Sequence, residues 1–261
     1  MSRAAATPIL EAMSEALSTK AFMTSPKVVA RVAGSLYLFG SVCFVVAMLV
    51  RSSILNESGT AGAADNVRSS AFLFRASLAG DLVSWTCFLL TGMALYVLLN
   101  KVHRMAAAAM MVFVVVGTAV GYVNDVNQYV ALTIATSAPY AKAFGTEGSN
   151  ALVMLAAQTQ HGGLLINEMF FGLWLLPLSY LVIKSTYFPR LVGFLLSVAA
   201  VDWIAQFFAD LLVPGLPYLF AVEQIGGAGE FVFVGWLLIF GVRLPAAGAS
   251  APAMATSLGR G

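Results

Sequence analysis

Long apolar runs separated by short polar stretches dominate the pattern along this chain. A helix rises about 1.5 Å per residue, so about 20 apolar residues cross the ~30 Å hydrocarbon core of a bilayer. Turn-forming residues fall mainly between the runs, which favours a helical bundle over a β-barrel. The pattern predicts an all-α integral membrane bundle of six transmembrane helices, at about residues 29–50, 72–99, 105–133, 162–183, 191–213 and 218–242.

The segments outside these runs predict three regions. Residues 1–26 form a cytoplasmic lead-in, amphipathic or disordered, residues 27–243 form the six-span domain, and residues 244–261 form a disordered tail. Within the domain we expect polar loops at 56–68 and 137–150, with a short helix at 151–158. Small residues such as Gly34, Gly40 and Gly193 permit close helix approach.

Lysine and arginine positions predict the orientation of the spans. With six spans, ten of these residues fall on the side of the two termini and four on the other side. Cytoplasmic loops carry the excess of positive charge, so both termini are expected in the cytoplasm.

Composition supports the membrane assignment and excludes other classes. Apolar residues make up 60% of the 261 residues, charged residues 10%, and the mean hydropathy is +0.87. Soluble domains carry about 25% charged residues. The net charge of +2 includes no basic patch, which argues against nucleic acid as a partner. Cys43 and Cys87 are interpreted as buried free thiols, with a disulfide between them left open.

Acidic residues are the feature of the spans that needs explanation. A charge in the bilayer costs several kcal/mol, on the order of 2.5–3.5 by insertion scales, and such groups usually pair or line cavities. In the predicted orientation seven of the 12 acids fall in the outer half of the bundle: Asp81, Asp125, Glu168, Asp202, Asp210, Glu223 and Glu230. Three of them (Asp125, Asp210 and Glu223) lie at span ends, where interfacial exposure is the simpler interpretation.

The candidate site consists of the deepest acids, Glu168, Asp202 and Glu230, together with Asp81 near the outer end of its span and polar residues on the same helices. Asp202, Gln206 and Asp210 recur every fourth residue, so they share a helix face, and His161 shares a face with Glu168. The ligand- or ion-binding candidates are Asp81, His161, Glu168, Asp202, Gln206 and Glu230. Arg75 is the basic residue within the spans that could pair with Asp81, although a spacing of six residues does not place the two on one helix face. If a metal binds, its ligands come from His161, Glu168, Asp202 and Glu230.

Several further residues have simpler explanations. Asn124, Gln128, Gln160 and Asn167 are expected either to form hydrogen bonds between helices or to line a polar cavity. The tryptophans Trp85, Trp174, Trp203 and Trp236 are interpreted as belt or core residues. No hydrolase, metalloprotease or P-loop motif is present, so no motif requires a cofactor.

Three stretches resemble a family of bacterial membrane proteins catalogued as domain of unknown function 4386. The most specific is the K-S-x-Y-x-P-R-x-x-G turn at 184–193, and the other two cover Arg75 with Asp81 and Glu230 with Trp236. Ser179 and Thr186 stand where the family is expected to have glycine. The resemblance spans residues 27–242 and implies a multi-pass protein of the bacterial inner membrane, without an activity.

The sequence therefore predicts an outward-facing acidic pocket that binds or transports a cation or a small polar ligand. Two alternatives remain open at this point. One is a membrane-embedded enzyme that uses His161 and carboxylates on a lipid-like substrate. The other is a non-catalytic membrane partner whose acids are simply hydrated. Enzymatic activity is the less favoured interpretation.

Overall fold

The computed structural model describes residues 25–56, 59–213 and 220–243, and all regular structure in these ranges is helical. Helix α1 (Pro26–Asn56) is followed by a 3₁₀ turn (Gly59–Gly62) and the short α2 (Ala63–Ser69). The remaining helices are α3 (Ala71–Leu99), α4 (Arg104–Asn124), α5 (Val126–Thr136), α6 (Ala138–Lys184), α7 (Arg190–Leu212) and α8 (Phe220–Ile239). Residues 1–24 of the predicted lead-in (1–26) and the whole predicted tail (244–261) lie outside the described residues.

In the part of the chain that the structure describes, five helical segments are long and apolar enough to cross a membrane: α1, α3, α4 with α5, α6, and α7. Large apolar side chains such as Phe39, Phe72 and Leu191 are exposed along their outer faces, as a helix surrounded by lipid requires. Residues 227–239 of α8 form a shorter apolar stretch. The chain is therefore built as a multi-pass helical membrane protein.

Six helices form a closed ring in the order α1, α3, α4, α6, α7, α8, with α8 packing back onto α1. The main apolar core lies inside this ring, with Trp174, Leu175 and Phe233 among its fully buried side chains. Cys43 and Cys87 are free thiols, so the disulfide that the sequence left open does not form.

Glycine permits the close approach at every contact of this ring. A Cβ atom at Gly34 would lie 2.8 Å from the Cβ of Leu237 on α8, and one at Gly40 would lie 2.8 Å from the Cβ of Cys87 on α3. Helix association in lipid depends on such packing because lipid tails are as apolar as the side chains. The glycines at the other four contacts are Gly92, Gly117, Gly172 and Gly229.

A second apolar cluster lies around Phe74 and Val153, toward the end of the bundle that holds the N-terminal half of α6. The region predicted as a loop at 56–68 contains α2, whose Ala63, Ala64 and Val67 are buried in this cluster. Asn150 of α6 anchors this segment: the Asn150 side chain donates to the Ala61 carbonyl and accepts from the Ala64 N–H. The prediction of a loop was therefore wrong for much of this segment.

Helix α6 is also longer than expected. The predicted loop at 137–150, the short helix at 151–158 and the fourth span form one 47-residue element, interrupted at Gly145, whose φ of 65° is left-handed. Beyond Gly145 it extends about 58 Å, nearly twice the hydrocarbon thickness. The predicted third span, in contrast, divides at Asp125 into α4 and α5.

Replacing Gly229 with alanine is expected to destabilise the fold by about 1–3 kcal/mol, through overpacking. The added Cβ would lie 2.6 Å from the backbone carbonyl oxygen of Leu195 on α7, which cannot rotate away. Gly235→Ala on the same helix is the matched control, because nothing lies within 4 Å of its Cβ position. Thermal unfolding in detergent compares the two variants, and equal midpoints would contradict the packing described for α7 and α8.

Candidate functional site: an aromatic cavity around Glu230

A cavity of about 270 Å³ lies inside the helix ring. Its lining residues come from α1, α3, α6, α7 and α8, so five of the six ring helices border it. Ligand pockets in proteins typically measure about 300–1,000 Å³ and are mostly apolar with a few polar groups. A dry cavity of about 150 Å³ holds benzene, so this one has room for a small organic molecule.

Aromatic rings form most of the cavity wall and contact each other in a continuous series. Phe171 is central to it, stacked on Trp85 with centroids 6.0 Å apart and edge-on to Phe88 and Trp203 at 6.0 and 5.5 Å. Trp174 continues the series, with its centroid 5.1 Å from Phe88 and 5.8 Å from Tyr37. The aromatic residues lining the cavity are Tyr37, Phe44, Trp85, Phe88, Phe171, Trp174 and Trp203.

Among the described residues that line this cavity, one is acidic: Glu230. Its Oε1 accepts a hydrogen bond of 2.7 Å from Trp203 Nε1, and its Oε2 accepts one from the Tyr37 hydroxyl. Both donors are uncharged, and neither ion pair present in the described part of the chain includes Glu230. The carboxyl group of Glu230 therefore links Tyr37 and Trp203, the two ends of the aromatic series.

The local sequence explains why Glu230 reaches the cavity. Gly229 brings α8 against the backbone of α7 at Leu195. The next residue, Glu230, then lies beside α7, and Trp203 is two turns along from Leu195 on that helix. A larger residue at 229 would push the two helices apart and separate Glu230 from Trp203.

A buried polar cluster lies beside the cavity and contains two of the acids. The Arg51 guanidinium pairs with Asp81, with Nη1 and Oδ2 2.5 Å apart, and the side chains of both residues are almost fully buried. Gln128 Nε2 donates to Asp81 Oδ2 at 2.6 Å and to Asp125 Oδ1 at 3.3 Å. Trp85 joins the cluster to the cavity, since its ring lines the cavity and its Nε1 donates to Asp125 Oδ2.

This buried cluster corrects two expectations. Asp81 pairs with Arg51 from α1, while Arg75, the partner suggested by the sequence, is exposed on α3. Asp81 and Arg75 are six residues apart, which places them on different sides of that helix. Asp125 was expected at the membrane surface, but it is 3% exposed because it lies at the junction of α4 and α5, under Trp85.

The other candidates from the sequence lie apart from the cavity lining. His161 is exposed, Glu168 and Gln206 are half-buried, and Asp202 is buried. Glu168, Asp202 and Gln206 each have an interaction partner. Asp210 is exposed, as expected of a residue at the membrane surface, and the side chain of Glu223 falls outside the described residues.

The four residues weighed as metal ligands do not form a metal centre in the structure. Among the side chains that the structure describes, no three His, Cys, Asp or Glu residues come together in a way that could hold a metal ion. His161 and Glu230 in particular differ in surroundings, one exposed and the other inside the helix ring.

Two of the amides form hydrogen bonds between helices. Asn124 Nδ2 on α4 donates to the Gln160 backbone carbonyl on α6 at 2.8 Å. Gln128 on α5 donates to Asp81 on α3 and also to Asp125, and so bridges the two acids of the buried polar cluster. Sequence reasoning missed Tyr37 and assigned Trp203 to packing, because no sequence signal tells which face of a uniformly apolar helix is turned inward.

Comparison with known proteins adds the family. No curated protein and no solved structure matches the chain. The family described as Domain of unknown function (DUF4386) matches residues 32–241, a range that holds the whole aromatic cavity with Glu230 and the buried polar cluster. The chain therefore belongs to the family catalogued as domain of unknown function 4386.

Proposed function

We propose that this protein binds a small organic cation in the aromatic cavity, with Glu230 as its counter-charge, and acts as a carrier or sensor for that ligand. The observation that carries the proposal is the position of Glu230, a carboxyl group held by two neutral donors within an aromatic wall. Ionisable groups inside a membrane protein usually mark a ligand or ion pathway.

The chemistry of the wall favours an organic ammonium over a metal ion. Ammonium groups bind the faces of tryptophan, tyrosine and phenylalanine, and aromatic cages are a recurring site for quaternary ammonium ligands. Metal cations such as Ca²⁺ take about 6–8 oxygen ligands. Besides Glu230, the described lining offers oxygen only from the side chains of Tyr37, Ser41 and Ser84 and from the backbone.

A route from binding to movement follows from the partners of Glu230. Tyr37 belongs to α1, Trp203 to α7 and Glu230 to α8, so its two hydrogen bonds tie three helices together. A cation that recruits the carboxylate would weaken these bonds and loosen the contacts of α8 with α1 and α7. A ligand shifts a conformational equilibrium by its differential affinity for the two states, and this exchange supplies such a difference.

The proposed topology places this cavity in a bacterial inner membrane. Six spans with both termini in the cytoplasm follow from the excess of lysine and arginine on that side, and α8 supplies the sixth span. In this arrangement the lipid bilayer is the immediate partner, and the cavity faces the outer half of the membrane.

Tetramethylammonium is the probe for the first test. Titration into protein purified in a non-ionic maltoside detergent is expected to quench tryptophan fluorescence saturably, because Trp85, Trp174 and Trp203 line the cavity. Glu230→Gln keeps the size of the side chain and removes its charge, so affinity is expected to fall about tenfold or more, equal to ~1.4 kcal/mol.

The matched control is Glu168→Gln, which neutralises an acid that is absent from the described cavity lining. It is expected to bind tetramethylammonium as the unmodified protein does. A thermal unfolding scan of each variant verifies folding. Absence of saturable binding, or equal affinity for the Glu230→Gln protein, would contradict the proposal.

A further inference from the structure

A second cavity of about 180 Å³ adjoins the aromatic cavity on the other side of Glu230. It lies between α1, α7 and α8, and we call it the lateral crevice. Tyr37, Ser41, Trp203 and Glu230 line both cavities. The hydrogen-bonded group of Tyr37, Glu230 and Trp203 is thus the partition between the two spaces.

The lateral crevice lies next to a close helix contact and borders the outside of the bundle. Helices α1 and α8 touch at Gly34 and Leu237, and the crevice occupies the next turns away from that contact, between Tyr37 and Gly227. Leu38 and Phe231 line it and are 42% and 69% exposed on the outer surface. In a membrane this surface faces the hydrocarbon.

We infer that the lateral crevice receives the alkyl chain of a single-chain ammonium amphiphile, which reaches Glu230 from the bilayer with its cationic head entering the aromatic cavity. This inference rests on the proposed function and adds the substrate class and the route. The carboxylate supplies the charge complementarity for the head, and the apolar lining continues from it toward lipid through Val234 and Phe231.

The dimensions select one chain. A space of about 180 Å³ is only slightly larger than the ~150 Å³ cavity that holds one benzene, so it takes the part of one alkyl chain next to the head, and the rest of that chain extends into the hydrocarbon. The two acyl chains of a phospholipid therefore do not fit the described crevice together. A small ammonium ion without a chain, such as tetramethylammonium, needs the aromatic cavity alone.

A side chain that fills the crevice is expected to weaken binding of the chain-bearing ligand and to leave binding of tetramethylammonium unchanged. Gly227 lines the crevice, and a Cβ there would meet nothing nearer than Phe231 at 3.9 Å, so Gly227→Leu adds a side chain to open space. The affinity for dodecyltrimethylammonium is expected to fall about tenfold, while that for tetramethylammonium stays unchanged. Gly235→Leu is the control on the same helix, since position 235 has open space and does not line the described crevice.

Tryptophan fluorescence titrations in maltoside micelles measure both ligands, with no ammonium headgroup competing. If Gly227→Leu leaves dodecyltrimethylammonium affinity unchanged while tetramethylammonium still binds the unmodified protein, the lateral route is wrong and the aromatic site stands. If neither ligand binds the unmodified protein, the proposed function itself fails. Displacement of bound dodecyltrimethylammonium by added phosphatidylcholine would overturn the single-chain assignment.

Discussion

Arg51→Leu is expected to destabilise the protein by about 3–5 kcal/mol, because removing one partner of a buried ion pair leaves an uncompensated charge. Arg51 and Asp81 are 6% and 1% exposed, and Asp125 lies in the same buried polar cluster through Gln128. Without the guanidinium, two carboxyl groups remain there with the amide of Gln128 and the N–H of Trp85 as their neutral donors. The thermal midpoint is expected to fall by roughly 10 °C for a domain of this size.

Two further variants sharpen this measurement. Arg75→Leu, which alters the exposed arginine on α3, is expected to leave the thermal midpoint nearly unchanged. The double variant Arg51→Leu with Asp81→Asn is expected to recover part of the loss, since it removes the charge that was left unpaired. Equal destabilisation by Arg51→Leu and Arg75→Leu would contradict the pairing of Arg51 with Asp81.

Trp174→Ala is expected to cost about 3–5 kcal/mol, the range for deleting a large aromatic side chain from a packed core. Trp174 is 1% exposed, and its ring packs edge-on against Phe88 of α3 and Tyr37 of α1. Its loss removes contacts between three helices, and packing of this kind is the main force between helices in lipid.

Phe194→Ala is the matched control for this aromatic deletion. Phe194 on α7 is 57% exposed on the outside of the bundle, where lipid or detergent replaces its contacts. Thermal unfolding in detergent is expected to separate the two variants by several degrees. If Phe194→Ala lowers the thermal midpoint as much as Trp174→Ala does, then Trp174 does not stabilise the packing of the helix ring.

The spans were predictable because run length is a strong signal. The starts and ends of α3 and α7 agree with the predicted spans to within one residue. The failures lie mainly outside the apolar runs, apart from the break at Asp125 within the predicted third span. In α2 a few small residues, Ala63, Ala64 and Val67, are buried by the second apolar cluster, and a seven-residue helix carries too short a pattern to be recognised.

In the candidate site, the sequence named acidic residues but not the partners that they contact. Glu230 was named from its depth in the last span and Asp81 as an acid near the outer end of the second span, and both contact partners across the bundle. Arg51 lies just beyond the predicted first span at 29–50, yet α1 continues to Asn56 and Arg51 is buried. Asp125 was assigned to the surface on its position near a span end.

The sequence by itself determined the class of this protein: helical, multi-pass, apolar, and a member of its family. These properties depend on composition and run length, which every residue contributes to locally. The tertiary structure decided which side chains meet: Glu230 with Tyr37 and Trp203, and Asp81 with Arg51. A helix in lipid is apolar on its outer and inner faces alike, so the apolar pattern of its sequence does not show which face is turned toward the other helices. Close packing at the glycines of the ring sets that orientation instead, and with it the position of Glu230 in the cavity.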